Sequence, residues 1–169
     1  ASPGTCISLR VPASRTLTLE ELHTAGSLTD KALELCRRVI ARKVPFLISG
    51  GTGTGKTTLL AALLAEVPAT ERIVVVEDAR ELTPRHPHCV RMEGRPPNNE
   101  GKGAITLTTL VRQALRMRPD RVVLGEVRGA ELTDLLSALN TGHEGGWATL
   151  HANSPADVPA RLTALGALA

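Results

Sequence analysis

The sequence predicts an α/β fold in which a mostly parallel sheet carries helices on both faces. Three observations lead there. Short β-branched runs alternate with longer helical patterns. Two of those runs, Val74-Val75-Val76 and Val122-Val123-Leu124, are apolar throughout, as strands covered on both faces require. A glycine-rich turn, Gly50 to Gly55, joins an apolar run to a helix-forming one. The 169 residues are enough for one domain with a sizeable core. An apolar fraction of 42% and a charged fraction of 22% exclude disorder over the whole length. No apolar run reaches the roughly 18 residues of a membrane-spanning helix. Ala1 to Arg10 lacks the basic-then-apolar pattern of a signal peptide, so a cytosolic location is expected. Phe46 and Trp147 are the only aromatics, which leaves no base-stacking surface for single-stranded nucleic acid. The net charge of +3 is too mild to argue for a specific nucleic-acid ligand. Cys6, Cys36 and Cys89 are odd in number and widely spaced, which reads as reduced thiols rather than a disulfide framework or zinc site.

The elements follow in order. Cys6 to Val11 reads as a short strand stopped by Pro12. Thr18 and Glu21 have the spacing of a capping box at a helix start. Leu28, Ala32, Leu35, Val39 and Ile40 repeat with helical period, and the helix must end before Pro45. Phe46-Leu47-Ile48 predicts a buried strand, and Lys56 to Leu64 a helix. Ile73 to Val76 is the next strand. Gly94 to Gly103 is a loop by composition. A helix starts near Thr106 with Leu107, Leu110, Val111, Ala114 and Leu115 on one side, and Pro119-Asp120 breaks it. The Val122 strand runs into Gly125-Glu126. A helix over 130–140 ends at a Gly142 cap, Trp147 to Leu150 is a last strand, and 155–168 reads as helical. The chain begins in a strand with no visible partner and stops at a helix, which reads as a piece of a longer protein.

Gly50-Gly51-Thr52-Gly53-Thr54-Gly55-Lys56-Thr57 matches the phosphate-binding loop G-x-x-x-x-G-K-[ST] in full, with a strand before it and a helix after. Glycines let the backbone bring its N–H groups against phosphate oxygens. The positive end of the following helix adds to that field. Lys56 supplies a point charge for the β- and γ-phosphates, and the Thr57 hydroxyl a hard oxygen for Mg²⁺. Thr58 follows within the same turn. The loop implies nucleotide binding but not the fate of the γ-phosphate.

In a parallel sheet, ligands sit at the carboxyl ends of the strands. Glu77-Asp78, Glu126 and His151 follow three of the predicted strands there. Two carboxylates beside Mg²⁺ can divide the tasks of holding the metal and orienting a water. His143 and His151 could sense the γ-phosphate, whereas His23, His86 and His88 read as surface residues. Arg112, Arg116, Arg118, Arg121 and Arg128 bracket the Glu126 strand. Two readings stand: ion pairs on a solvated face, or charge stabilisation of phosphate.

Together these segments resemble the type II/type IV secretion ATPase superfamily. The resemblance is carried by the loop, by Val-Val-Val-Glu-Asp-Ala-Arg-Glu-Leu (the aspartate box), and by Leu-Arg-Met-Arg-Pro-Asp-Arg-Val-Val-Leu-Gly-Glu-Val-Arg-Gly (the Walker B stretch). The histidine box Thr-Gly-His-Glu-Gly-Gly-Trp-Ala-Thr-Leu-His-Ala-Asn-Ser completes it. These segments stand in the family's order across most of 46–155, closest to the tight-adherence (Flp) pilus branch. The resemblance implies a RecA-like P-loop core over 19–169, incomplete at its C-terminus, with residues 1–18 the remnant of an N-terminal domain plus linker. It implies a hexameric motor that binds ATP and Mg²⁺, works at the inner face of the cytoplasmic membrane, and partners an inner-membrane secretion or pilus platform protein. Glu77 matches the residue that polarises the attacking water, and Glu126 the glutamate near Mg²⁺. His151 matches the histidine near the γ-phosphate, and Arg10 an arginine aimed at it. Two rival functions use the same loop: a small-molecule kinase, and an assembly subunit that binds nucleotide without turnover.

Overall fold

The computed structural model describes residues 4, 5, 7, 9, 15–140, 142 and 145–167. Arg10, His143 and most of the expected Cys6–Val11 strand lie outside the described residues. Five strands form one parallel sheet: β1 (Phe46–Gly50), β2 (Ile73–Glu77), β3 (Cys89–Glu93), β4 (Arg121–Leu124) and β5 (Trp147–His151). Their order is β1-β5-β4-β2-β3. The helices are α1 (Leu19–Thr24), α2 (Asp30–Ala41), α3 (Lys56–Ala65), α4 (Leu107–Arg116), α5 (Glu131–Asn140) and α6 (Val158–Gly166), the last entered through a short 3₁₀ turn, Pro155–Asp157.

Side chains alternate across each strand, so the two faces feed two cores. Ile73, Val75, Val123 and Trp147 pack with α1, α2 and α3 on one face. Val74, Val76, Val122, Leu124, Ala148 and Leu150 pack with α4, α5 and α6 on the other. The central strands β2 and β4 are buried along their whole length, which is why both read as continuous apolar runs. α3 is buried over Leu60 to Leu64, and each fully buried leucine contributes about 1.5–3 kcal/mol. The helix behind the glycine loop is thereby fixed.

Helix starts follow the local chemistry. The Thr18–Glu21 capping box is formed, with Thr18 Oγ1 accepting from the Glu21 N–H and Glu21 Oε2 from the Thr18 N–H. Thr29 and Thr106 cap α2 and α4 through the hydroxyl alone, which accepts the Ala32 and Thr109 N–H groups. Three expectations need correction. β1 is only half-buried, because it is an edge strand in the described sheet. β3 has no counterpart in the sequence reading: it is a half-buried edge strand of mixed character, paired residue for residue with β2 from Ile73↔Cys89 to Glu77↔Glu93. The last helix does not run from Pro155, since the 3₁₀ turn precedes it.

Candidate nucleotide-binding and active site

All five strands point their carboxyl ends toward one rim, and a cavity of about 440 Å³ opens there. It is lined by Thr52, Gly53, Lys56 and Thr57 of the loop and the start of α3, by Glu77, Asp78, Glu81, Gly125, Glu126 and Arg128 from the ends of β2 and β4 onward, and by Thr149 and His151 of β5. The register of the sheet accounts for the convergence. Gly50 at the end of β1 pairs with His151 at the end of β5, and β2 pairs with β4 up to Val76↔Leu124, one residue before Glu77 and two before Glu126.

The loop holds itself open. Gly53 and Gly55 take φ of +76° and +90°, where a side chain would be strained. Thr54 Oγ1 donates to the Gly51 carbonyl at 2.9 Å and passes so close to Gly50 that a Cβ there would meet it at 2.6 Å. Gly55 caps α3 without a side chain, and the first turn of α3 carries no acid. Its positive end therefore stays available to an anion. Lys56 Nζ donates to the carbonyls of Gly50 and Gly51 at 2.9 and 2.7 Å, which sets the ammonium over the cavity. Thr54, Gly55 and Thr58 face a second, more apolar cavity of about 370 Å³, shared with Leu22, Leu28, Ile48 and Leu59.

Glu77 is only 4% exposed. Its Oε1 accepts the backbone N–H groups of Glu81 and Leu82 at 3.0 and 2.8 Å. Burial pushes its carboxyl above the ordinary range, and those two N–H bonds partly offset the rise. Glu126 stands at the end of β4 with its Oε2 against Arg128 Nε and Nη2 at 2.8 and 2.7 Å. Arg128 Nη1 reaches Asp78 Oδ2 at 2.9 Å. The hydrogen bond to Glu126, before Coulomb attraction to either acid, lifts the Arg128 guanidinium above its usual range. Thr149 Oγ1 donates to the Gly125 carbonyl and ties β5 to the segment that carries Glu126.

The arginines sort by position. Arg112 pairs with Asp134 on the surface between α4 and α5. Arg121 is fully buried at the opposite rim, with Nε 2.7 Å from Glu71, Nη2 2.7 Å from the Ile40 carbonyl, and its guanidinium 4.7 Å from the Trp147 ring. Its role is structural, and the phosphate reading does not hold for it. Of the bracketing set, Arg128 lines the cavity. Sequence reasoning missed Gly125, Glu81 and Thr149 as site residues, whereas Asp78 stands where it was expected, directly after β2. The signal available was position: Gly125 directly precedes Glu126, Glu81 follows Glu77 by four residues, and Thr149 lies within the last strand.

A Gly-rich strand–loop–helix unit at the carboxyl rim of a parallel sheet, faced by two glutamates, defines a P-loop nucleotide-binding core. Over residues 1–169 the chain matches the family described as Type II/IV secretion system protein, and it belongs to that family. It is 59% identical over 168 residues to a Mycobacterium tuberculosis protein named for conjugal transfer, covering 99% of this chain and 48% of that protein. It is 38% identical over 185 aligned residues to type IV secretion system protein PtlH of Bordetella pertussis, covering 95% and 54%. The chain thus spans about half the length of the curated relatives it matches. Among solved structures, the VirB11 ATPase of the Brucella suis type IV secretion system, in complex with sulphate, superposes with a TM-score of 0.70 at 33% identity, covering 91% of this chain and 44% of that one. The pilus retraction motor PilT with bound ADP superposes at 0.67 and 28%, covering 92% and 43%.

Proposed function

We propose that this chain is the nucleotide-binding core of an ATPase that drives a type II or type IV secretion, conjugation or pilus machine. The observation that carries the reading is the convergence of Lys56, Thr57, Glu77, Glu126 and His151 on one cavity. The loop amides and Lys56 take the β- and γ-phosphates. The base and ribose go to the more apolar cavity beside Thr58. A hydroxyl and a carboxylate, Thr57 and Glu126, line the same cavity, and hard oxygens of this kind suit Mg²⁺. Bound there, Mg²⁺ would neutralise charge on the phosphates.

Glu77 orients the attacking water. Its Oε1 is occupied by two backbone N–H groups, so the carboxylate is fixed and Oε2 can accept a proton-bearing partner. His151 lies beside the γ-phosphate position and reports its state. Arg10 supplies a further positive charge at the γ-phosphate, as the family likeness implies. In the full-length protein the subunits form a hexameric ring on the inner face of the cytoplasmic membrane and act on a membrane platform protein. The likeness to the tight-adherence branch rests on the four motif segments. No helix among the described residues is long and apolar enough to cross a membrane.

Phosphate release by the full-length protein, with its size measured with and without ATP, tests the reading. Free phosphate from ATP and Mg²⁺, lost in Glu77→Gln, is the expected result. Tight ATP binding with no phosphate release by the intact oligomer would leave only a nucleotide-binding scaffold.

A further inference from the structure

We propose that Arg128 is a positioning residue: it serves as counter-ion to Glu126 and Asp78 and yields Glu126 only when a divalent cation takes its place, so that Arg128 sets the Mg²⁺ requirement of the site. The inference rests on the nucleotide-site reading above. Four observations carry it. First, the backbone beneath Arg128 is pinned. Its N–H and that of Gly129 both donate to Glu131 Oε1, and Glu131 is buried at the start of α5. The guanidinium therefore extends from a fixed base. Second, one planar guanidinium spans two strand ends, with Nε and Nη2 on Glu126 after β4 and Nη1 on Asp78 after β2. A lysine could not hold both acids in that geometry.

Third, both nitrogens on the Glu126 side converge on the same oxygen, Oε2. A divalent cation drawn to that carboxylate meets a resident positive charge a few ångströms away, and the two repel. Fourth, the pair is exchangeable. The Arg128 and Glu126 side chains are 56% and 32% exposed, so water screens the contact and lowers the cost of opening it. Asp78 keeps a hold on the guanidinium while Glu126 is released, so Arg128 stays inside the site. Without Arg128, four acids line the cavity together: Glu77, Asp78, Glu81 and Glu126. The guanidinium relieves that repulsion before any cation arrives.

The test is equilibrium binding of fluorescently labelled ADP to the full-length protein, titrated with Mg²⁺, which needs no turnover. R128Q is expected to lower the Mg²⁺ midpoint about three- to tenfold, the effect of removing one partly screened unit charge. R128K, which keeps the charge but not the two-acid span, should fall between wild type and R128Q. D78N should raise the midpoint, because Arg128 then has Glu126 as its remaining hydrogen-bonded acid. In an E126Q background, R128Q should no longer shift it. A Mg²⁺-responsive wild type with an unshifted or raised midpoint in R128Q overturns the inference alone. A wild type whose ADP binding ignores Mg²⁺ overturns the reading it rests on. If R128Q fails to fold by circular dichroism, D78N decides, and an unchanged midpoint there overturns the inference.

Discussion

Gly125 lies beneath the side chain of Glu77: a Cβ at position 125 would stand 2.8 Å from Glu77 Cγ and 3.3 Å from its Oε1. The glycine before Glu126 is thus needed by the other glutamate. Placing even a methyl group there forces Glu77 off its two N–H partners or pushes β4 away from β2. Gly125→Ala should cost about 1–3 kcal/mol in stability, as overpacking does. A 1 Å displacement of an orienting carboxylate costs on the order of 10²-fold in turnover. ADP affinity should stay near wild type, since the substitution does not touch the loop. Turnover and labelled-ADP binding by the full-length protein check this. Unchanged turnover would remove the packed geometry of Glu77 from the reaction.

Burial raises the Glu77 pKa, and this gives a signed pH dependence. The folded chain holds this proton to higher pH than the unfolded chain, where the value is about 4.3. Between those two values the native state binds more protons, so stability is lost as pH rises through the window. On the role proposed for Glu77, turnover runs the other way, because the ionised form is the one that would orient water and it is populated only above the raised value. Wild-type activity should therefore fall on acidification at a higher pH than an ordinary glutamate would dictate. Glu77→Gln should flatten the contribution of this group to melting temperature across that window. Parallel melts of wild type and Glu77→Gln from about pH 4 to pH 7 read the difference; identical slopes would contradict the assignment.

Much of this site is encoded over short range. Thr18 and Thr106 each announce a helix, because a capping hydroxyl needs only the next three residues. The loop from Gly50 to Thr57 and the apolar strands ending near Glu77 and Glu126 are equally local. What stayed hidden depends on residues distant in sequence. β3 is an edge strand whose Cys-Val-Arg-Met-Glu sequence has neither an apolar run nor a clean alternation, and it is defined by pairing with β2. The Asp78–Arg128 contact joins two strand ends that only the order β4-β2 makes adjacent. Arg121 and Arg128 look alike in sequence, yet they sit at opposite ends of the sheet because one precedes the strand core and the other follows it.

Lys56→Ala removes the ammonium that the Gly50 and Gly51 carbonyls hold over the cavity. The loss falls on phosphate charge rather than on packing, since Lys56 is half-buried at the helix start. Turnover should drop by about 10²-fold or more, as removal of a preorganised charge does. Nucleotide affinity should weaken alongside it. The melting temperature without nucleotide should move little, and the stabilisation normally produced by added ATP should disappear. Thermal melts with and without ATP give both readings, and a full ATP-induced shift in Lys56→Ala would remove the loop from nucleotide binding.

Arg121 offers a control at the far rim. Its Nε pairs with Glu71, its Nη2 caps the Ile40 carbonyl at the end of α2, and its guanidinium stacks on Trp147. Lys43 and Asp120 extend the same cluster, and the Arg72 N–H holds the Asp120 carboxyl below its usual range. Arg121→Ala leaves the Glu71 carboxylate, 13% exposed, with Lys43 Nζ at 3.7 Å as its remaining cation, and opens a void beside Trp147. Breaking a buried pair by removing one partner costs about 3–5 kcal/mol when the other charge is left uncompensated, and Lys43 offsets part of that here. The melting temperature should fall accordingly, while the labelled-ADP affinity of the fraction that remains folded should match wild type. Replacement by methionine fills the space but still removes the close ion pair to Glu71, and should recover only part of the loss. A variant as stable as wild type would show that the cluster contributes no net stability, and lost ADP affinity in the folded fraction would show that the two rims are coupled.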